Sequence, residues 1–169
     1  MPHDLPPVDP PKCGWRLTRR RFANLSGKGP ELEGGRWNSP GRAVVYLGAE
    51  AALPVLEVLV HLDLAPEMIP IDYVLMRVDL TVYADTGRDS WLEEGPLEPR
   101  QIEESRAFGD RWIDDARTPV LRVPSVIVPE ASSLILNPGH RLAQQLPAPT
   151  HRPFAFDDRL FSGVASPSR

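Results

Sequence analysis

The stretch AVVYLGAEAALPVLEVLVHLD, residues 43–63, decides the class of fold. Its opening, AVVYLG (43–48), is rich in β-branched and aromatic residues and stops at a glycine, which reads as a short strand. AALPVLEVLVHLD (51–63) reads as a helix, with Pro54 tolerable in the first turn, where its missing N–H removes no intrahelical bond. On a wheel of about 100° per residue, Leu53, Val55, Leu56, Val58, Leu59, Val60 and Leu62 cover most of the circumference. A helix apolar nearly all round is expected to be buried. On the N-terminal side, GWRLT (14–18) is a second short strand. On the C-terminal side IDYVLMRVDL (71–80) alternates Tyr73, Leu75, Arg77 and Asp79 against Val74, Met76, Val78 and Leu80, the strongest strand pattern in the chain. PRQIEESRAFGDRWIDDA (99–116) is helical with a break expected near Gly109, and VLRVPSVIVP (120–129) and SSLILN (132–137) are strands. The order β, β, α, β, α, β, β predicts an α+β domain and not a doubly wound parallel sheet.

The bulk properties fit one domain. The 169 residues are 41% hydrophobic and 25% charged, the balance of a globular chain that folds around one core. A net charge of −4 supplies no field to attract phosphate backbones, which argues against a general nucleic-acid binder. The single Cys13 excludes an internal disulfide, in keeping with a reducing compartment. No apolar run approaches the ~20 residues of a membrane span, and the N-terminus lacks the apolar core of a secretory signal. A cytoplasmic location is therefore expected. Proline, at 20 residues, concentrates in MPHDLPPVDPPK and LPAPTHRP, which read as extended or mobile segments and confine the folded unit to about Gly14–Pro138.

The helix leaves a narrow polar strip of Glu50, Pro54, Glu57 and His61, with Glu57 and His61 stacked at i, i+4. Either this strip meets water, or it lines a cleft in which a carboxylate among apolar neighbours is perturbed. Just before the strand, GGRWNSPG (34–41) sets Arg36 and Trp37 behind a glycine pair. Arg36 is either a surface loop residue, or a guanidinium fork for an anion that the glycines allow close to backbone. Tyr46 in mid-strand suits core packing, and Ser125 within an apolar run suits a small hydrogen-bonded hydroxyl. His3, His140 and His151 have no second ligand at metal spacing, so no metal is assigned. The pairs Asp114-Asp115 and Asp157-Asp158, and the RRR run at 19–21, read as exposed charge.

The order of WRL (15–17), LSGKG (25–29), GGRWNSPG (34–41), VVYL (44–47), LEVLVHL (56–62), GDRW (109–112), VPSVIVP (123–129) and LILNPGH (134–140) resembles the RES domain. Members of that family are toxins paired with Xre-type antitoxins in bacterial toxin–antitoxin modules. The resemblance covers residues 14–161, leaving a Pro-rich arm at 1–13 and a tail at 162–169. It implies a single mixed or antiparallel sheet similar to ADP-ribosyltransferases of the diphtheria-toxin kind, with NAD⁺ consumed as substrate and no metal. The family's Arg, Glu and Ser match Arg36, Glu57 and Ser125, its first-strand arginine matches Arg16, and the aromatic after its glycine-arginine loop matches Tyr46, a set comparable to the first-strand residue, tyrosine and glutamate of that enzyme class. Gly35, Trp37 and Asn38 would complete the dinucleotide site, and the role of His61 is left open.

The chemistry implied is rupture of the nicotinamide–ribose bond, which leaves positive charge on the ribose and requires a carboxylate beside the sugar. Glu57 would supply it, Arg36 and Arg16 would hold the diphosphate, Tyr46 would face the nicotinamide, and Ser125 would steady the substrate or Glu57. GKGPELEGG opens no helix of a βαβ unit, so reversible dinucleotide redox is not expected. ADP-ribose would pass to a protein, to water or to phosphate. The competing reading is a non-catalytic or RNA-directed toxin using RRR and the tryptophans. An Xre-type antitoxin would block the cleft, and this chain itself would contact neither nucleic acid nor membrane.

Overall fold

The computed structural model describes residues 9–62, 66–96 and 101–161. Most of the Pro-rich arm (1–8), the tail (162–169), the expected helix end at Asp63 and the expected helix start at Pro99 and Arg100 lie outside these residues. Among the described residues, seven strands form one sheet: β1 (Cys13–Arg19), β2 (Val45–Gly48), β3 (Tyr73–Asp79), β4 (Leu92–Glu94), β5 (Val120–Pro124), β6 (Ser132–Leu136) and β7 (Thr150–Pro153). Their order is β4-β5-β6-β2-β1-β3-β7, and every pairing is antiparallel except β4 with β5. Among the same described residues, four α-helices accompany them: α1 (Lys28–Glu33), α2 (Ala52–His61), α3 (Arg88–Trp91) and α4 (Ile102–Asp115). This is the expected α+β architecture with a single mixed sheet.

The sheet is covered on both faces, and strand alternation separates the two cores. Val45, Leu47, Met76, Val78, Leu134 and Leu136 pack on one side with Tyr83 and Trp91, whose rings stack at 5.3 Å. Val44, Leu121, Val123 and Ile135 pack on the other side with Trp37 and with Trp112 of α4. β1 pairs with β3 along its whole length but meets β2 in register at one position, Trp15 opposite Gly48. The sheet is thus two halves joined at a narrow seam.

Several expectations are corrected. Of the two readings of LPAPTHRP, extended or mobile, the fold shows the extended one: β7 lies within it, at the sheet edge beside β3, and carries the folded unit past Pro138. An edge strand tolerates Pro153 because one side of its backbone needs no ladder partner, and the rings of Phe154, Phe156 and Phe161 secure the segment against Tyr73. The apolar run 120–129 is a strand only to Pro124. There Ser125 turns the chain, its Oγ accepting from the amides of Ile127 and Val128 while its N–H donates to Ala131 O. α4 passes through Gly109 without a break. The helix that looked apolar all round is only partly enveloped: Leu53 and Pro54 are buried, whereas Val60 is 58% exposed. None of the helices among the described residues is long and apolar enough to cross a membrane.

Candidate active site

Glu57, His61 and Val60 of α2, Tyr46 and Leu47 of β2, and Arg36 and Trp37 of the loop before β2 line one cavity of about 510 Å³. Pro124, Val126, Ile127 and Ser133 close its far wall. The strip on α2 therefore faces a cleft, and the arginine behind the glycine pair shares it. The volume lies within the range of small-molecule sites, about 300–1,000 Å³.

Glu57 is half-buried, and burial pushes its carboxyl above the ordinary value. Two neighbours oppose that rise: Ser133, whose Oγ donates to Oε1 at 3.3 Å, and His61, one turn along the helix. Ser133 was not singled out in the sequence. Its signal lies in the register of β6 on β2, which sets Ser133 across from Gly48 and, two residues on, Ile135 across from Tyr46.

Tyr46 anchors the loop. Its hydroxyl accepts from Trp37 N–H at 3.0 Å and donates to Asn38 Oδ1 at 2.7 Å, and burial pushes its pKa up to about 12. The approach is close because Gly35 has no side chain: a Cβ there would lie 2.5 Å from the tyrosine oxygen. Gly34, at φ +73°, turns the chain into this position. The glycine pair thus forms a hydrogen-bonded bend, with Gly35 N–H donating to Asn38 O and Arg106 Nε donating to Gly35 O.

Four expected site residues, Gly35 beneath the Tyr46 hydroxyl and three more, stand outside the cavity wall. Asn38 is fully buried and spends its amide inside the loop, donating to the carbonyls of Pro30 and Arg42. A tight loop under a helix leaves backbone carbonyls without water, and Asn38 satisfies them. Ser125 is 3% exposed and holds the turn after β5, so the hydroxyl on Glu57 is that of Ser133. Arg16 is not in the cavity wall; its Nη1 donates to the carbonyls of Phe22 and Asn24, bracing the chain after β1. The LILNPGH motif is likewise structural. Asn137 ties the turn to α4 through Ile113 O, and buried His140 accepts from Leu142 N–H on Nδ1. In the RRR run, Arg19 pairs with Asp72 and Arg21 lies 4.6 Å above the Phe22 ring. Asp114 and Asp157 bind Arg42 and Arg159.

Comparison with known proteins places this geometry. The profile of the RES domain matches residues 14–157. The chain belongs to the RES-domain family. Toxin Res of Pseudomonas putida (strain KT2440) is 36% identical over 147 residues, covering 87% of this RES chain and 98% of that protein. The Prs ADP-ribosylating toxin of Sphingobium sp. (strain YBL2) is 36% identical over 141 residues, covering 81% and 86%. Toxin Res of Yersinia enterocolitica is 30% identical over 149 residues, covering 86% and 97%. Among solved structures, the M. tuberculosis MbcT–MbcA toxin–antitoxin complex contains a chain that superposes with a TM-score of 0.61 at 18% identity, covering 85% of the RES chain and 84% of its own. That likeness establishes the fold.

Proposed function

We propose that this RES toxin cleaves the nicotinamide–ribose bond of NAD⁺ and transfers the ADP-ribose to a protein. The observation that carries the reading is Glu57: a half-buried carboxylate on the polar strip of a mostly apolar helix, sharing one cavity with Arg36 and Tyr46. As nicotinamide leaves, the ribose becomes cationic, and a carboxylate in a partly dry site stabilises that charge more than it stabilises the neutral sugar. Ser133 keeps Glu57 turned into the cavity. Arg36 offers a planar fork to the diphosphate, and the Tyr46 ring and Trp37 supply apolar and π surface for the bases. A protein acceptor is favoured by the Sphingobium relative, whose name describes ADP-ribosylation. Water and phosphate are the alternative acceptors.

The partner proposed is an antitoxin of the Xre type that covers the cavity. Val60 and Val126, 58% and 60% exposed on its rim, provide an apolar seat, and the matching solved structure is a toxin–antitoxin complex. A cytoplasmic site of action follows from the substrate.

The test incubates purified protein with NAD⁺ labelled in the adenylate half, with and without cell lysate. Nicotinamide release and label on a discrete protein band are expected with lysate, and Glu57→Gln should lower release at least ~100-fold, the scale of a lost transition-state charge contact. Free ADP-ribose or its phosphate without lysate would move the assignment to the small acceptors. Toxicity that survives Glu57→Gln, together with salt-sensitive RNA binding, would replace this reading with an RNA-directed toxin.

A further inference from the structure

The loop that carries Arg36 is held from behind by α4. Arg106 Nε donates to Gly35 O at 3.0 Å. Asp110 accepts from Ser39 twice, from the backbone N–H at 2.8 Å and from Oγ at 2.6 Å. Between them, Gly109 brings the helix backbone against Trp37 so closely that a Cβ would overlap the Trp37 carbonyl. Arg106 and Asp110 stand at i, i+4, on one face of α4, and the residues they and Gly109 touch are 35, 37 and 39. Arg36 is enclosed between held neighbours, while neither Arg106 nor Asp110 lines the cavity.

From this geometry we infer that Arg106 and Asp110 are positioning residues for the reaction, setting the place of Arg36 and Trp37 through the backbone without touching substrate. The inference rests on the NAD⁺-consuming reading for its catalytic half and on the hydrogen bonds alone for its structural half. A guanidinium that must meet a diphosphate gains little from charge unless its location is fixed beforehand, since a displacement of about 1 Å can reduce rate on the order of 100-fold. An ordered loop supplies that fixity. A loop relying on its two glycines would not.

The experiment measures KM and kcat for nicotinamide release, together with hydrogen exchange of the loop, for the full-length chain and the variants Arg106→Ala, Asp110→Ala and Asp110→Asn. Asp110→Asn still accepts from Ser39 N–H and can donate to Ser39 Oγ, so it tests hydrogen bonding apart from charge. Expected are a KM for NAD⁺ raised ~10-fold or more in both alanine variants, faster exchange confined to residues 34–42, and recovery of both in Asp110→Asn. Unchanged KM and unchanged loop exchange in an active protein would overturn the inference. So would faster exchange throughout the sheet, which would mean that these residues serve general stability. If the wild-type chain releases no nicotinamide, the functional reading fails separately, and exchange in the loop alone decides whether α4 holds it.

Discussion

Tyr46 combines two tasks that its sequence context could not separate. Its ring belongs to the cavity wall, while its hydroxyl is engaged by Trp37 N–H and Asn38 Oδ1. Tyr46→Phe keeps the ring and leaves both loop groups unpaired, which should lower stability by roughly 1–3 kcal/mol in chemical denaturation and raise KM modestly. Tyr46→Ala also removes the aromatic wall and should raise KM much further. A Phe variant as stable as the parent would show that the hydroxyl does not hold the loop. The motifs single out Arg36, Tyr46 and Glu57, and the fold brings these three to one cavity. The family resemblance is what brings Ser125 and Asn38 to the site; in the fold the Ser125 hydroxyl holds a turn, the small hydrogen-bonded group that its apolar run suggests, and the Asn38 amide binds loop carbonyls. Ser133 went unread because its significance comes from a partner 76 positions away.

α4 shows how local propensity is overruled by packing. Glycine weakens a helix interior, hence the expected break at Gly109, but here the missing side chain admits the Trp37 backbone and the helix continues. Gly→Ala inside a helix ordinarily stabilises; Gly109→Ala should instead destabilise by roughly 1–3 kcal/mol through overpacking and slow nicotinamide release by pushing the Arg36 loop. An unchanged or raised Tm for this variant would contradict the close approach. The strands whose apolar runs alternate or lie in the centre of the sheet, β1, β2, β3 and β6, were legible. β4 and β7, three and four residues long at the two edges, were not, because edge strands carry little apolar pattern. α1 escaped for another reason: KGPELE contains both Gly29 and Pro30, and its Pro stands in the first turns where it is harmless.

The whole chain should show a stability profile shaped by two groups of opposite sign. His140 has its pKa lowered from 6.5, chiefly by burial and further by the Arg141 charge, against hydrogen bonds to the backbone of Ala116 and Arg117. Its contribution is complete above pH 6.5 and is lost as pH falls through the lowered value, when Nδ1 can no longer accept from Leu142. Glu57 has its pKa raised from 4.5, so its contribution is complete below pH 4.5 and is lost as pH rises through the raised value. Tm measured from pH 4 to 8 should therefore coincide for wild type and Glu57→Gln at the acid end, with the variant the more stable above it; below pH 6.5 the variant loses the His140 contribution alone, while in the wild type Glu57 opposes that loss. A Glu57→Gln variant less stable than wild type at pH 7 would mean that the carboxylate is not desolvated. In the amino-acid sequence alone, periodicity and motif order were enough for the α+β class and the family, because hydrophobic alternation and chemically special residues are written along the chain. Which residues converge on one cavity, which partners Asn38 and Ser125 engage, and how α4 meets the arginine loop required the folded molecule. Those facts depend on strand register and on backbone approach between segments about 70 residues apart, distances along the chain over which local patterns carry no information.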